Sequence, residues 1–287
     1  YHNDWMTDGK AERFCVKESN LQMIECNIST AASDAKTLSD FIRWGVSEAP
    51  AQRYILVLWD HGYGIKGGFG ADELNRNQTM KVSDICGAIA KANVFFDIIA
   101  FDACLMGTVE TAFALRNHTE YLVASEDSTP ACGLYYTTWI GALERNPSIS
   151  TQRLGRLILD SFTLHAGIEA NVQTTLSMMK VSRAEVLTDY ISLFKGDLQR
   201  NAGEVELLGK NEGIFDQFDL LDVMGGVPEI TAAAQALAFE VRNSSGGSKY
   251  GGISVYIPSR KSEDAPKMID ELKKIGLNNS YLNVIFN

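Results

Sequence analysis

The sequence lacks any apolar stretch near the ~20 residues needed to cross a bilayer. Its longest such run, around Val94 to Met106, is broken by Asp97 and Asp102, so no membrane span is expected. It also lacks basic clusters. The 26 Lys and Arg face 36 Asp and Glu, for a formal net charge of −10, so a nucleic-acid partner is not expected and a charged partner should be cationic. The five cysteines (Cys15, Cys26, Cys86, Cys104, Cys132) include no Cys-x-x-Cys pair, and with four histidines they assemble no zinc pattern. No Asp-x-Asp-x-Asp-Gly loop supports calcium, and no cofactor is implied. Repeats and low-complexity linkers are missing, so the only boundary signal is Asn146-Pro147. It separates a core, 1–148, from an α/β portion, 149–287, expected to pack on or continue the same sheet. The chain starts at Tyr1 with neither methionine nor an apolar leader, and a targeting segment removed upstream is the expectation.

What is present is a pair of buried-strand signatures. Tyr54-Ile55-Leu56-Val57-Leu58-Trp59 and Phe95-Phe96-Asp97-Ile98-Ile99-Ala100-Phe101 are apolar, β-rich and free of polar alternation, as in parallel sheets covered on both faces. One helical face precedes each run: Leu38, Phe41, Ile42, Val46 and Ala49, then Ile85, Ala88, Ile89 and Ala92. Leu105, Met106, Val109, Phe113 and Leu115 make a third, predicting a helix that begins at or shortly after Leu105. Tyr121–Ala124, Thr174–Val181 and Gly251–Pro258 read as further strands, and Leu154–Ala166 as a helix. Ser182, with Glu185 three residues on, predicts a capping box for a helix to about Leu198. Asn243–Lys249 reads as a flexible loop. Arg13–Lys17 and Gln22–Asn27 form a candidate hairpin, which would let Cys15 and Cys26 pair in an oxidising compartment.

The two strands end in Asp60-His61-Gly62 and Asp102-Ala103-Cys104, and ligands bind outside the carboxyl ends of such strands. A thiolate nucleophile needs a nearby imidazole and is favoured by a helix amino terminus. His61 and Cys104 supply that layout, with the backbone N–H groups of Gly62 and Cys104 available to an oxyanion. Plain packing for the cysteine and a surface role for the histidine are the competing readings. Gly62-Tyr63-Gly64-Ile65-Lys66-Gly67 matches a dinucleotide fingerprint, yet the glycine-rich residues after it read as an extended loop rather than a helix, which argues against nucleotide binding.

Trp59-Asp60-His61-Gly62-Tyr63-Gly64, Phe101-Asp102-Ala103-Cys104-Leu105-Met106 with Glu110, and Ser125-Glu126-Asp127 with Pro130 and Gly133 resemble the clostripain family of cysteine peptidases, grouped with caspases, gingipains and legumains. Asn27, Ser33, Asp34, Thr37, Leu38, Asp40 and Phe41 upstream, and Phe218-Asp219-Leu220, Asp222 and Gly252–Pro258 downstream, extend the likeness over nearly the whole chain. The resemblance implies a caspase-like α/β/α sandwich with a mostly parallel central sheet, and an endopeptidase acting on protein or peptide substrates after Arg or Lys. It makes His61 the catalytic histidine, Cys104 the nucleophile and Asp102 the acid at the base of the S1 pocket. Asp127, or Glu126, is an alternative acid there, and a purely structural role for Asp102 stays open. The resemblance also implies a zymogen that cuts itself after the catalytic histidine, at Arg76 or Lys66. Some relatives need calcium and others do not.

Two departures stand out. The strand and helix that usually open the family have no counterpart after Tyr1, so a separate amino-terminal segment is expected to complete the sheet. Ala131-Cys132-Gly133-Leu134 replaces a glycine and an aromatic residue more usual at the pocket rim. A catalytically silent binding or adhesion protein on the same scaffold is the alternative function, and a redox sensor would need a resolving cysteine beside Cys104. A protease for basic sites suits export to the periplasm, cell surface or medium.

Overall fold

The computed structural model describes residues 11–18, 20–28, 31–169, 173–209, 216–244, 250–258 and 263–286. In chain order come a hairpin of β1 (Ala11–Lys17) and β2 (Asn20–Ile28), α1 (Ala35–Glu48), β3 (Ile55–Trp59) and the single turn α2 (Gly64–Gly67). A second hairpin, β4 (Phe69–Asp72) and β5 (Gln78–Met80), leads to α3 (Val82–Ala92), β6 (Phe96–Asp102), α4 (Val109–Leu115) and β7 (Thr119–Ala124). Next are α5 (Tyr136–Arg145), α6 (Thr151–Glu169), β8 (Thr175–Lys180), α7 (Ala184–Ser192), α8 (Leu198–Glu204), β9 (Gln217–Asp219) and α9 (Leu220–Met224). The chain ends with α10 (Pro228–Leu237), β10 (Ala238–Asn243), β11 (Ser254–Tyr256), α11 (Ala265–Lys274) and α12 (Asn279–Phe286).

The central sheet has five strands in the order β10-β8-β7-β6-β3. β3, β6 and β7 are mutually parallel, whereas β8 is antiparallel to both β7 and β10, so β8 alone runs against the rest. β8 and β10 come from beyond residue 148, and one sheet therefore draws on both halves of the chain. Along β6 and β7 the side chains alternate between two cores. Ile98, Ala100, Tyr121 and Val123 meet Trp139 of α5 and Leu154, Ile158 and Phe162 of α6. Ile99, Phe101 and Leu122 share the opposite core with Ile42, Ile89, Val109 and Leu187. With both faces covered by helices, no polar alternation is needed, which is why these strands read as continuous apolar runs. The result is the expected α/β/α sandwich. β3 stands at its edge, with β6 its one strand neighbour among the described residues.

Three local expectations fail. β1 and β2 pair with Cys15 opposite Gln22 and Arg13 opposite Glu25, so the register sets Cys15 and Cys26 apart, and neither is in a disulfide. Ser182 caps nothing: it lies in a 3₁₀ turn, Val181–Arg183, and Arg183 occupies the cap position of α7. Val181 is 1% exposed, and burying it tightens this turn in place of the capping box. α7 then stops at Ser192 instead of running to Leu198. Within the expected loop 243–249, positions 245–249 lie outside the described residues. Among the described residues no helix is long and apolar enough to cross a membrane.

Candidate active site

Strand register brings the two loops together. Trp59 of β3 lies opposite Asp102 of β6, and parallel neighbours are ~4.8 Å apart, so the chain leaves both strands side by side toward His61 and Cys104. Where the loops touch there is no room for a side chain: a Cβ on Gly62 would lie 2.0 Å from the Cys104 carbonyl oxygen and 3.1 Å from Ala103 Cβ. The histidine loop then folds back, with Gly70 N–H donating to His61 O at 2.8 Å and Tyr63 N–H to Gly68 O at 2.9 Å. Gly62, opposite Phe69 between those two bonds, sits in the narrow pair whose N–H groups stay outside the ladder. The exposed His61 ring stacks on Tyr63 at 6.1 Å between centroids. The Asp60 carboxylate accepts the backbone N–H of His61, which orients the main chain of the loop.

Cys104 is 6% exposed. Its Sγ accepts the Thr129 N–H at 3.1 Å, a contact that favours the anion, and the thiol faces Thr129 O at 3.6 Å, a contact that favours the protonated form; Thr129 Oγ1 lies 3.4 Å away. The helix expected at or shortly after Leu105 starts only four residues on. α4 begins at Val109, capped by the Thr108 hydroxyl, which accepts from Thr111 N–H. A helix dipole acts within its first turn, so Cys104 gains nothing from it. Leu105 prevents an earlier start by adopting the left-handed conformation, φ +64°, which costs a non-glycine residue about 1–3 kcal/mol. Tertiary bonds hold it there: Leu105 N–H donates to Asp127 O at 3.1 Å and Gly107 N–H to Ser125 O at 2.7 Å.

Three carboxyl groups surround this loop. Asp102, 4% exposed, accepts the Leu134 N–H at 3.0 Å on both oxygens and the Tyr136 hydroxyl at 2.8 Å. Burial raises its pKa, and these two donors partly offset the rise. Gly133, at φ +62°, packs against it so closely that a Cβ would lie 2.7 Å from Asp102 Oδ2. Asp127 is partly buried and accepts from Ser128 N–H and Gly209 N–H, each at 2.8 Å. Glu126 is fully buried and accepts Gly252 N–H. Burial, then the charge of Asp219, push its pKa well up.

The candidate cleavage residues differ sharply. Lys66 belongs to α2 and is tied by its Nζ to Asp216 at 2.7 Å. Arg76 is exposed, left-handed at φ +60°, in the turn between β4 and β5. Tyr136, Leu208, Gly209, Gln217 and Tyr250 are site residues that the sequence did not reveal. Leu208 and Tyr250 share a small buried cluster with Cys104 and Leu105. Gln217 and Tyr250 had a nearby signal, since they immediately precede Phe218-Asp219-Leu220 and Gly251–Pro258.

An α/β/α sandwich whose adjacent parallel strands deliver a histidine and a buried cysteine to one edge is the frame of a caspase-like cysteine hydrolase. This chain belongs to the clostripain family, whose model matches residues 6–225, and it is a cysteine peptidase. Among solved structures it is similar to a secreted C11 cysteine protease of Bacteroides thetaiotaomicron, "iotapain", at 18% identity and a TM-score of 0.78, covering 94% of this chain and 86% of that one. It is also similar to an inactive zymogen C11 protease of Parabacteroides distasonis at 21% identity and a TM-score of 0.73, covering 97% and 84%. A Bacteroides thetaiotaomicron C11 protease in complex with an irreversible peptide inhibitor aligns at 20% identity and a TM-score of 0.74, covering 96% and 86%. At these identities the likeness establishes the fold. A search of curated proteins found no match.

Proposed function

We propose an endopeptidase that cleaves after Arg or Lys, with Cys104 as nucleophile and His61 as its base. The observation that carries this reading is the Trp59–Asp102 register, which sets the two loops against each other at the carboxyl end of the sheet. His61 takes the thiol proton, and the sulfur, supported by Thr129 N–H, attacks the scissile carbonyl. The oxyanion forms against the N–H groups of Gly62 and Cys104. His61 then protonates the departing amine, and water hydrolyses the thioester. A carboxylate two residues before the nucleophile matches a basic P1 side chain through a charge-assisted contact. Gly133 sets no side chain of its own against Asp102, and Asp127 is the second acid of the pocket.

Self-processing is assigned to Arg76, because it is exposed in a turn, whereas Lys66 is held in a helical turn by its ion pair. Export is supported by the secreted relative. No metal is proposed, since the sequence carries no zinc- or calcium-binding motif; rates with calcium and with a chelator test calcium dependence.

Fluorogenic peptides with Arg, Lys or Asp at P1 test the reading, with Cys104→Ala and His61→Ala as controls. The expected result is release from Arg and Lys peptides, lost in both variants. Preference for Asp would overturn the assigned specificity, and inertness of the processed enzyme would favour the silent binding protein. Incubating wild type beside Cys104→Ala and measuring masses tests self-cleavage: a cut after Arg76 is expected in wild type alone.

A further inference from the structure

We propose that Gln217 is a positioning residue that holds the histidine and cysteine loops in catalytic register, a role that rests on the His61–Cys104 reading above. Its side chain is 1% exposed and lies behind the nucleophile. Its amide nitrogen donates to Leu105 O at 2.9 Å and to Ser254 Oγ at 2.7 Å, with Glu126 O at 3.3 Å. These acceptors come from three separate segments: the loop carrying Cys104, the loop after β7, and β11. Two carbonyls and a hydroxyl around one atom require the NH₂ end there, which fixes the orientation of the amide. Ser254 Oγ lies 3.2 Å from Gly107 O, a second tie to the cysteine loop.

The other end of the amide faces the histidine loop. Gly64, at φ +62° and two residues past Gly62, comes so close that a Cβ there would lie 2.1 Å from Gln217 Oε1. The neighbouring residue reinforces the contact: Asp216, at φ +53°, turns its carboxylate onto Lys66 Nζ in α2 at 2.7 Å. The backbone carbonyl of Gln217 accepts Leu208 N–H at 3.0 Å, holding the apolar wall that Cys104 shares. Adjacent residues at the start of β9 thus engage both loops. The bond to Leu105 matters most, because a left-handed leucine stays so only while its surroundings over-determine it. Without that donor, the Leu105–Met106 peptide keeps only the bonds of Leu105 and Gly107 N–H and can relax, moving the sulfur relative to His61 and Gly62 N–H.

The variant Gln217→Met keeps length and volume but donates nothing. A displacement of about 1 Å costs on the order of 100-fold in rate, so kcat should fall roughly 10- to 100-fold with KM within about twofold of wild type. A second readout is the pH profile of iodoacetamide alkylation at Cys104, followed by mass spectrometry of its peptide. In wild type the rate should persist well below the ordinary thiol range near ~8.5 and depend on His61. In Gln217→Met the profile should move toward that ordinary range, a change that a merely space-filling role would not produce. Wild-type kcat and an unmoved profile in Gln217→Met would overturn the proposal. Should that variant fail to fold, Gln217→Leu serves: it also donates nothing, so it should show the same loss, and wild-type behaviour would equally overturn the role. A wild-type profile that is ordinary and indifferent to His61→Ala would instead refute the dyad.

Discussion

Under the proposed specificity, Asp102 meets a structural and a chemical demand at one residue. Its carboxylate anchors the loop over the pocket through Leu134 N–H and Tyr136 OH, yet its charge is what a basic P1 side chain would seek. Asp102→Asn separates the two, because the amide oxygen can still accept those donors while the charge is gone. The variant should fold and should lose on the order of 100-fold in kcat/KM for arginine peptides, in the range seen when one partner of a buried charge-assisted bond is removed. The pH dependence has a definite sign. Burial raises the Asp102 pKa, so the free enzyme carries a neutral Asp102 at the acid end and gains the charge only above the usual carboxylate range. The ratio of kcat/KM for arginine over its neutral isostere citrulline cancels every pH effect common to the two substrates. It should rise with pH in wild type and stay flat in Asp102→Asn. A flat wild-type ratio would reassign the basic preference to Asp127.

At the scale of elements, a buried pair of carboxyl groups fastens the end of β7 to the end of β9. Glu126 accepts Gly252 N–H, whereas Asp219 caps α9 through Leu221 N–H at 2.8 Å and also accepts Gly251 N–H. Both pKa values are raised, first by burial, and the charge of Asp219 raises that of Glu126 further, so Glu126 keeps the proton. Unfolded glutamate ionises near ~4.3. Stability from this group is therefore fullest in acid and declines as pH rises from that value toward the folded pKa. Glu126→Gln preserves the acceptor for Gly252 and removes the penalty. Its melting midpoint should exceed wild type at pH 8, by roughly 2–4 °C per kcal/mol relieved, with the gain vanishing near pH 4. Equal gains at both pH values would deny Glu126 the proton. Such a pairing was illegible in the sequence, as were the left-handed turn at Leu105 and the placement of Gln217, because each depends on contacts between segments far apart in the chain. The strand ends were legible, since an apolar run stopped by His61-Gly62 or by Asp102 is a local pattern. Local pattern also misled: Leu105 and Met106 continue an apolar face into α4, but Asp127 O and Gln217 Nε2 take the Leu105 backbone groups that a helix would need.

Over the whole molecule, cleavage after Arg76 would leave His61 on one polypeptide and Cys104 on the other, so activity would require the fragments to stay joined. The contacts crossing that point are extensive. β3 pairs with β6 from Ile55–Ile98 through Trp59–Asp102, Phe69 meets Phe101 edge to face at 5.6 Å, and Leu38 and Ile42 share a core with Ile85 and Ile89. Two ion pairs add to these, Arg53–Asp97 at 2.9 Å and Lys66–Asp216 at 2.7 Å. The cut itself removes no core contact, because Arg76 is exposed in its turn. The nicked enzyme should therefore migrate as one particle under native conditions and as two chains in denaturant. Its unfolding should differ in kind from that of the intact chain. Separation of two polypeptides is governed by mass action, so the melting midpoint of the nicked form should rise with protein concentration, whereas that of uncut Arg76→Gln should not. Loss of activity on dilution in mild urea should track loss of the paired mass. Fragments that separate without denaturant, or a nicked form whose melting ignores concentration, would show that the sheet does not hold His61 and Cys104 together in this way.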